Sequence, residues 1–199
     1  MTKLIIFRHG QTLWNLERRP QGKRDIRLTQ LGLAQASKLA ERLQSEKIDV
    51  FYSSPLSRSL ETTKIVAKAH DKDVVILDDL IEMDFGMFEG KPKAERVALF
   101  PEFDVANDEH REKMGMDRFD EAIVLLKKRV IPSLLENHAN QTIVLGTHDQ
   151  KMRALLVALG MPNAVKGELL KNCALSIVDV IDGRLDIICH NDNSHIKSL

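Results

Sequence analysis

Leu4-Ile5-Ile6-Phe7-Arg8-His9-Gly10 is the stretch that decides how this chain is read. Four consecutive apolar residues, closed by a charge and then by glycine, have the length and composition of a short strand buried on both faces. The strand predicted over residues 3–8 delivers a guanidinium, an imidazole and an unhindered backbone at its C-terminal end. In open α/β sheets that edge is where ligands bind. Arginine there offers a planar fork of donors suited to phosphate, and histidine can attack, carry a proton or donate. Taken alone, His9 reads first as a loop histidine with a structural job, so its partners have to come from the rest of the chain.

The remaining strands supply them. A long polar connection, residues 11–28, holds Pro20, Gly22 and four arginines (Arg18, Arg19, Arg24, Arg27), and connections of that length are uncommon unless they line a site. Thr29 is a candidate N-cap for an amphipathic helix to about residue 44, carried by Leu33, Ala36, Ala40 and Leu43. Val50-Phe51-Tyr52 predicts a second strand, with Ser54-Pro55 opening a helix to about residue 69 that places Arg58 near its first turn. Residues 74–77 predict a third strand, and Glu82 comes after it in a turn-bearing acidic loop. Residues 91–116 give a poor signal beyond a short helix at 93–99, and are expected to be a surface insertion covering the sheet edge.

Phe119, Ile123, Leu126, Val130 and Leu134 form a long helical stripe that Pro132 should kink or restart. A strong buried strand at 142–146 ends in Thr147-His148-Asp149 before a helix over 152–159. Two last strands, 175–180 and 185–189, are joined by the hairpin signal Asp182-Gly183. The alternation predicts an α/β three-layer sandwich: one domain over residues 1–199, with a mostly parallel central sheet, an antiparallel edge strand and helices on both faces.

Composition bounds the partners. The chain has 199 residues, enough for one sizeable core. Lys+Arg and Asp+Glu both total 29, so no net charge draws it to nucleic acid or membrane, and any basic site is local. Cys173 and Cys189 lie in or near apolar runs without metal-like spacing, as expected of buried thiols in a reducing compartment. No signal-peptide pattern or run of about 20 apolar residues occurs, and a soluble cytoplasmic protein is expected. A homodimer is compatible with the sequence, which leaves the oligomeric state open.

Arg8, His9, Arg58, Glu82 and His148 each fall just after a predicted strand, which brings them to one edge of one sheet. With them, the chain resembles the histidine phosphatase superfamily, also called phosphoglycerate mutase-like. The matching pieces are Arg8-His9-Gly10-Gln11-Thr12 with Asn15, Gln21-Gly22 with Asp25, Leu28-Thr29 with Gly32, and Ser53-Ser54-Pro55-Leu56-Ser57-Arg58 with Glu61-Thr62. Further along come Glu82-Met83, Phe85-Gly86, Glu89-Gly90, Thr147-His148 with Arg153, and Asn191-Asp192 with His195.

The resemblance implies a phosphomonoesterase of the histidine acid phosphatase kind. His9 would attack phosphorus, Arg8, Arg58 and a protonated His148 would hold the phosphoryl oxygens, and Glu82 would serve as acid and then base. Asn15, Gln21 and Gly22 resemble the family's further phosphate or substrate contacts. No metal or cofactor is implied, because the cations are side chains, and the partner is a small phosphorylated metabolite.

Gln21-Gly22 matches the phosphatase branch, whereas mutases resemble one another in carrying Thr-Gly. The basic, proline-paired segment that mutases carry after the acidic loop is replaced by Lys91-Pro92-Lys93 and Arg96. Mutase-type phosphoryl transfer and a non-catalytic phospho-ligand binder are the alternatives. The departure from pattern is Asp149, where the family usually has glycine. Asp149 is expected to start the next helix or to pair with an arginine of the 18–27 loop, with recognition of a substrate amine as the functional option. His70, His110 and His138 are read as solvated, His190 and His195 as structural.

Overall fold

Period-two burial organises the molecule. The computed structural model describes residues 1–104, 107–165 and 170–199, and its first strand, β1 (Thr2–Arg8), sends Leu4 and Ile6 to one face of the sheet and Ile5 and Phe7 to the other, all buried. The strand β4 (Thr142–Thr147) beside it does the same with Ile143 and Leu145 against Val144. A sheet apolar on both faces needs a layer of helices on each. Helices α2 (Gln30–Leu43) and α3 (Ser57–Lys68) bury Ala36, Leu39, Leu43 and Val66 on the Ile5 face. The opposite face is covered by α6 (Phe119–Leu125), α7 (Ile131–Asn137) and α8 (Asp149–Ala158) through Phe119, Leu134, Met152 and Leu155.

With β2 (Val50–Ser53), β3 (Val74–Ile76), β5 (Leu175–Ile181) and β6 (Arg184–Asp192), the strand order is β3-β2-β4-β1-β5-β6. β1 to β4 pair in parallel, so all their C-terminal ends share one edge. β5 runs antiparallel to β1 and β6 antiparallel to β5, which confines antiparallel pairing to one flank. The β5–β6 turn is the expected two-residue hairpin, with Asp182 and Gly183 at φ 48° and 80°, both left-handed as the twist of flanking strands prefers.

Pro132 acts as its missing N–H requires: α6 gives way to a π-helical segment, Leu126–Val130, and α7 restarts with proline in its first turn. The segment around 91–116 forms α4 (Lys93–Leu99) and α5 (Asp108–Lys113); its residues 105 and 106 lie outside the described ones. It is more than a surface cover, because Arg111 is fully buried and donates to the Asp117 carbonyl at 2.6 Å. Two of the histidines read as solvated are engaged as well. His138 hydrogen bonds with Tyr52 Oη and Gln141, and His110 Nδ1 accepts from Asp104 N. No helix among the described residues is long and apolar enough to cross a membrane.

Candidate active site

β1 ends at Arg8, and the backbone then turns so tightly against α2 that a Cβ on Gly10 would lie 2.5 Å from the Gly32 carbonyl oxygen. Thr62 of α3 secures this turn, accepting from Gly10 N at 3.1 Å and donating to Arg58 O at 2.7 Å. His9, 3% exposed, is held with its Nδ1 2.7 Å from the carbonyl oxygen of Gly10. A carbonyl only accepts, so Nδ1 carries the hydrogen and Nε2 keeps a lone pair. Burial, then the charges of Arg58 and Arg8, hold His9 well below the usual histidine range, which makes the ring neutral.

His148 comes directly after β4, the neighbouring strand, and its ring centroid lies 5.2 Å from that of His9. Its Nδ1 accepts from Arg58 Nε at 3.2 Å, and its Nε2 is 2.8 Å from Ser54 Oγ. An Nδ1 acceptor and an Nε2 donor describe a neutral imidazole. The expected protonated His148 is therefore corrected to a neutral ring: burial, then Arg58, then His9, push its pKa well below the ordinary value. Arg58 sits in the first turn of α3, its pKa lowered to about 10 chiefly by burial. Its Nη1 and Nη2 donate to the carbonyls of Arg24 and Gly22, at 2.6 and 2.8 Å. Arg8 donates to the Leu170 carbonyl, while its Nε is buried with no hydrogen-bond partner among the described residues.

Two of the helices that begin at this edge, α3 and α8, are capped by carboxylates from elsewhere in the chain. Ser54 is not the N-cap of α3, which begins at Ser57; Asp25 Oδ1 of the long loop accepts instead from Ser57 N at 2.8 Å. Ser54 Oγ accepts from Leu56 N at 3.3 Å and also meets His148. Glu82 caps α8 in the same way: Oε1 accepts from Met83 N (2.9 Å) and Lys151 N (3.1 Å), and Oε2 from Gln150 N (3.3 Å). That cap explains why α8 begins three residues earlier than the apolar pattern predicts. Burial, and secondarily the charge of Asp149, raise the Glu82 pKa above the ordinary carboxylate value, against the pull of those N–H groups and Arg58.

Asp149 is the first residue of α8. Its Oδ1 pairs with Arg153 Nε at 3.3 Å and its Oδ2 accepts from Gln150 Nε2 at 3.2 Å. The helix-start reading holds, and the paired arginine comes from one turn along the same helix rather than from the 18–27 loop.

The long loop carries the remaining residues. Gln21 is buried and its Oε1 has no hydrogen-bond partner among the described residues. Gly22, at φ 52°, packs so closely on Glu89 that a Cβ would meet Oε1 at 1.8 Å. Glu89 in turn accepts from Lys23 N and pairs with Arg24, latching this loop to the acidic one. Asn15 closes a capping box with Thr12 on the short helix α1 (Leu13–Leu16). A residue missed in the sequence completes it. Asn172 Nδ2 lies 3.1 Å from both Asn15 Oδ1 and the His9 carbonyl. Asn15 Oδ1 also takes Thr12 N and Oγ1, so its orientation is fixed and its own NH₂ is the group left to a ligand. The only signal for Asn172 was a polar residue shortly before a predicted strand. His190 and His195 are structural as read, bonded to Ser176 Oγ and to the Cys173 carbonyl.

One edge thus brings together a neutral imidazole whose Nε2 has no hydrogen-bond partner among the described residues, two arginines, a second histidine and a carboxyl group held toward its acid form. Such a set can receive a phosphoryl group and hand a proton to the group that leaves. Known proteins agree. The chain is 36% identical to phosphoserine phosphatase 1 of Hydrogenobacter thermophilus, across all of this chain and 98% of that one. It is 33% identical to phosphoglycerate mutase-like protein 4 of Arabidopsis thaliana, over 98% and 87% of the two chains. The solved structure of Bacillus stearothermophilus YhfR superimposes with a TM-score of 0.89 at 26% identity, covering 99% of this chain and all of that one. The sequence model for branch 1 of the histidine phosphatases matches residues 4–193, so motif, geometry and likeness coincide over nearly the whole length, and the chain belongs to the histidine phosphatase superfamily.

Proposed function

We propose that the chain hydrolyses a small phosphorylated metabolite, without a metal, through a phosphohistidine on His9. The observation that carries this reading is the His9 tautomer: Nδ1–H is committed to the Gly10 carbonyl, and Nε2 makes no hydrogen bond among the described residues. Nε2 attacks phosphorus in line as the bond to the leaving oxygen breaks, and Glu82 transfers its proton to that oxygen. The phosphorylated ring becomes cationic, with Nδ1–H still on Gly10. Arg8, Arg58, His148 and the Asn15 NH₂ take the equatorial oxygens. Water then attacks phosphorus, ionised Glu82 accepts its proton, the N–P bond breaks and neutral His9 returns. Hydrolysis is favoured over the mutase reaction by Gln21-Gly22 and by the missing basic segment. The ion pair of Asp149 with Arg153 answers the objection that a bare carboxylate disarms the pocket.

Enzyme incubated with ³²P-labelled phosphoserine, 3-phosphoglycerate or an aryl phosphate, in chelator, and then denatured in alkaline detergent, tests this. Acid-labile label on the wild type, absent from His9→Ala together with turnover, is the expected result. Turnover that survives in His9→Ala would overturn the covalent mechanism. Binding without turnover in the wild type would favour the ligand-binding alternative.

A further inference from the structure

A guanidinium has five N–H groups, and Arg58 spends three of them inside the protein. Nε donates to His148 Nδ1 at 3.2 Å, Nη1 to the Arg24 carbonyl at 2.6 Å and Nη2 to the Gly22 carbonyl at 2.8 Å. One N–H is left on each Nη for a phosphoryl oxygen, and its direction depends on where the two carbonyls stand. The Gly22 carbonyl shares a planar trans peptide with the Lys23 N–H, so the two point in opposite directions. On the far side of that peptide, Lys23 N donates to Glu89 Oε1 at 2.9 Å. The other carboxylate oxygen, Oε2, pairs with Arg24 Nε at 3.1 Å, and Arg24 supplies the second carbonyl. Each oxygen of Glu89 therefore secures one of the two carbonyls that grip Arg58.

Glu89 is itself well held. Its side chain is 10% exposed, and Oε1 also accepts from Phe85 N at 3.3 Å. The long loop has other anchors: Gly90 N donates to the Pro20 carbonyl at 2.9 Å, Lys23 Nζ pairs with Asp117 at 3.1 Å, and Asp25 accepts from Ser57 N at 2.8 Å. Those keep the loop in place, whereas Glu89 fixes the rotation of the 22–23 peptide. We propose that Glu89 is a positioning residue for phosphoryl binding, aiming the Arg58 guanidinium through the 22–23 peptide and through Arg24. This rests on the reading above that Arg58 holds the phosphoryl oxygens.

Tungstate, a tetrahedral dianion of phosphoryl shape, is titrated calorimetrically into the wild type, Glu89→Gln, Arg58→Met and the double variant, with melting temperatures measured for each. With its amide oxygen on Lys23 N, the glutamine turns an NH₂ toward Arg24 Nε–H, and that arm breaks. Affinity should fall about 10-fold in Glu89→Gln, the low end for a lost hydrogen bond to a charged group. The fall should shrink below about 2-fold when Arg58 is already methionine, which a merely structural role would not produce. No fall beside Arg58, or the same fall in both backgrounds, overturns the inference. Arg24→Met removes one arm from a side chain 71% exposed, and it decides the matter if Glu89→Gln does not fold. It should weaken tungstate about 2- to 5-fold beside Arg58 and not beside Arg58→Met, and an equal effect in both overturns the inference. Failure of every phosphate to turn over would sink hydrolysis, and the tungstate titrations would still decide on Glu89.

Discussion

Replacing Glu82 by glutamine separates the acid from the cap. Oε1 accepts two N–H groups and Oε2 one, at the longest of the three distances, so Oε2 is the oxygen with valence to spare for the transferable proton. In Glu82→Gln the amide oxygen keeps the Met83 and Lys151 bonds, and its NH₂ replaces Oε2. That group cannot accept from Gln150 N, and the orphaned buried donor costs about 1–3 kcal/mol. At about 2–4 °C per kcal/mol for a chain of this size, melting should fall by about 2–12 °C, leaving a folded protein. Loss of proton donation removes about 10²–10⁴ from turnover of an alkyl phosphate, whose alkoxide needs the proton. An aryl phosphate leaves as a stabilised phenolate and should lose less than about 10-fold. The assay is kcat/KM across leaving groups of graded acidity, with thermal melts beside it. Equal losses for alkyl and aryl substrates would refute the argument, because Glu82 would then act by holding α8 and not by giving a proton.

Two further outcomes test neighbours of the same machinery. Asp149 raises the Glu82 pKa, so Asp149→Asn should lower it and move the alkaline limb of kcat/KM for an alkyl phosphate to lower pH, while the acid limb, where His9 protonates, stays; pH profiles of parent and variant check the sign, and an upward shift contradicts it. Asn172→Ala should cost about 10-fold in kcat/KM and much less when Asn15 is already alanine, since Asn172 acts by fixing Asn15; additive losses in that double-mutant cycle would remove the coupling.

Much of this site is local in origin and is therefore legible in the sequence. A run such as Leu4–Phe7 announces a two-faced strand, and the residues just past a strand lie at its end, which placed Arg8, His9, Arg58, Glu82 and His148 on one edge. Helix starts were the weaker part, for a physical reason. α3 and α8 are capped by Asp25 and Glu82, residues 32 and 68 or more positions away from the N–H groups they accept, and no local pattern encodes such a cap. Asn172 was missed for a similar reason: only the antiparallel register of β5 on β1, pairing Leu175 with Phe7, carries it to His9.

By itself, the sequence determined the alternation of strands and helices, the residues that end the strands and the family those residues resemble, because each depends on near neighbours along the chain. Tertiary structure alone decided the protonation and the partners. His9 and His148 are neutral because burial and arginines surround them, and Asp149 pairs with Arg153 and not with the loop. Charge state depends on the solvent and the charges within a few ångströms, and in a parallel sheet those neighbours come from segments far apart in the chain.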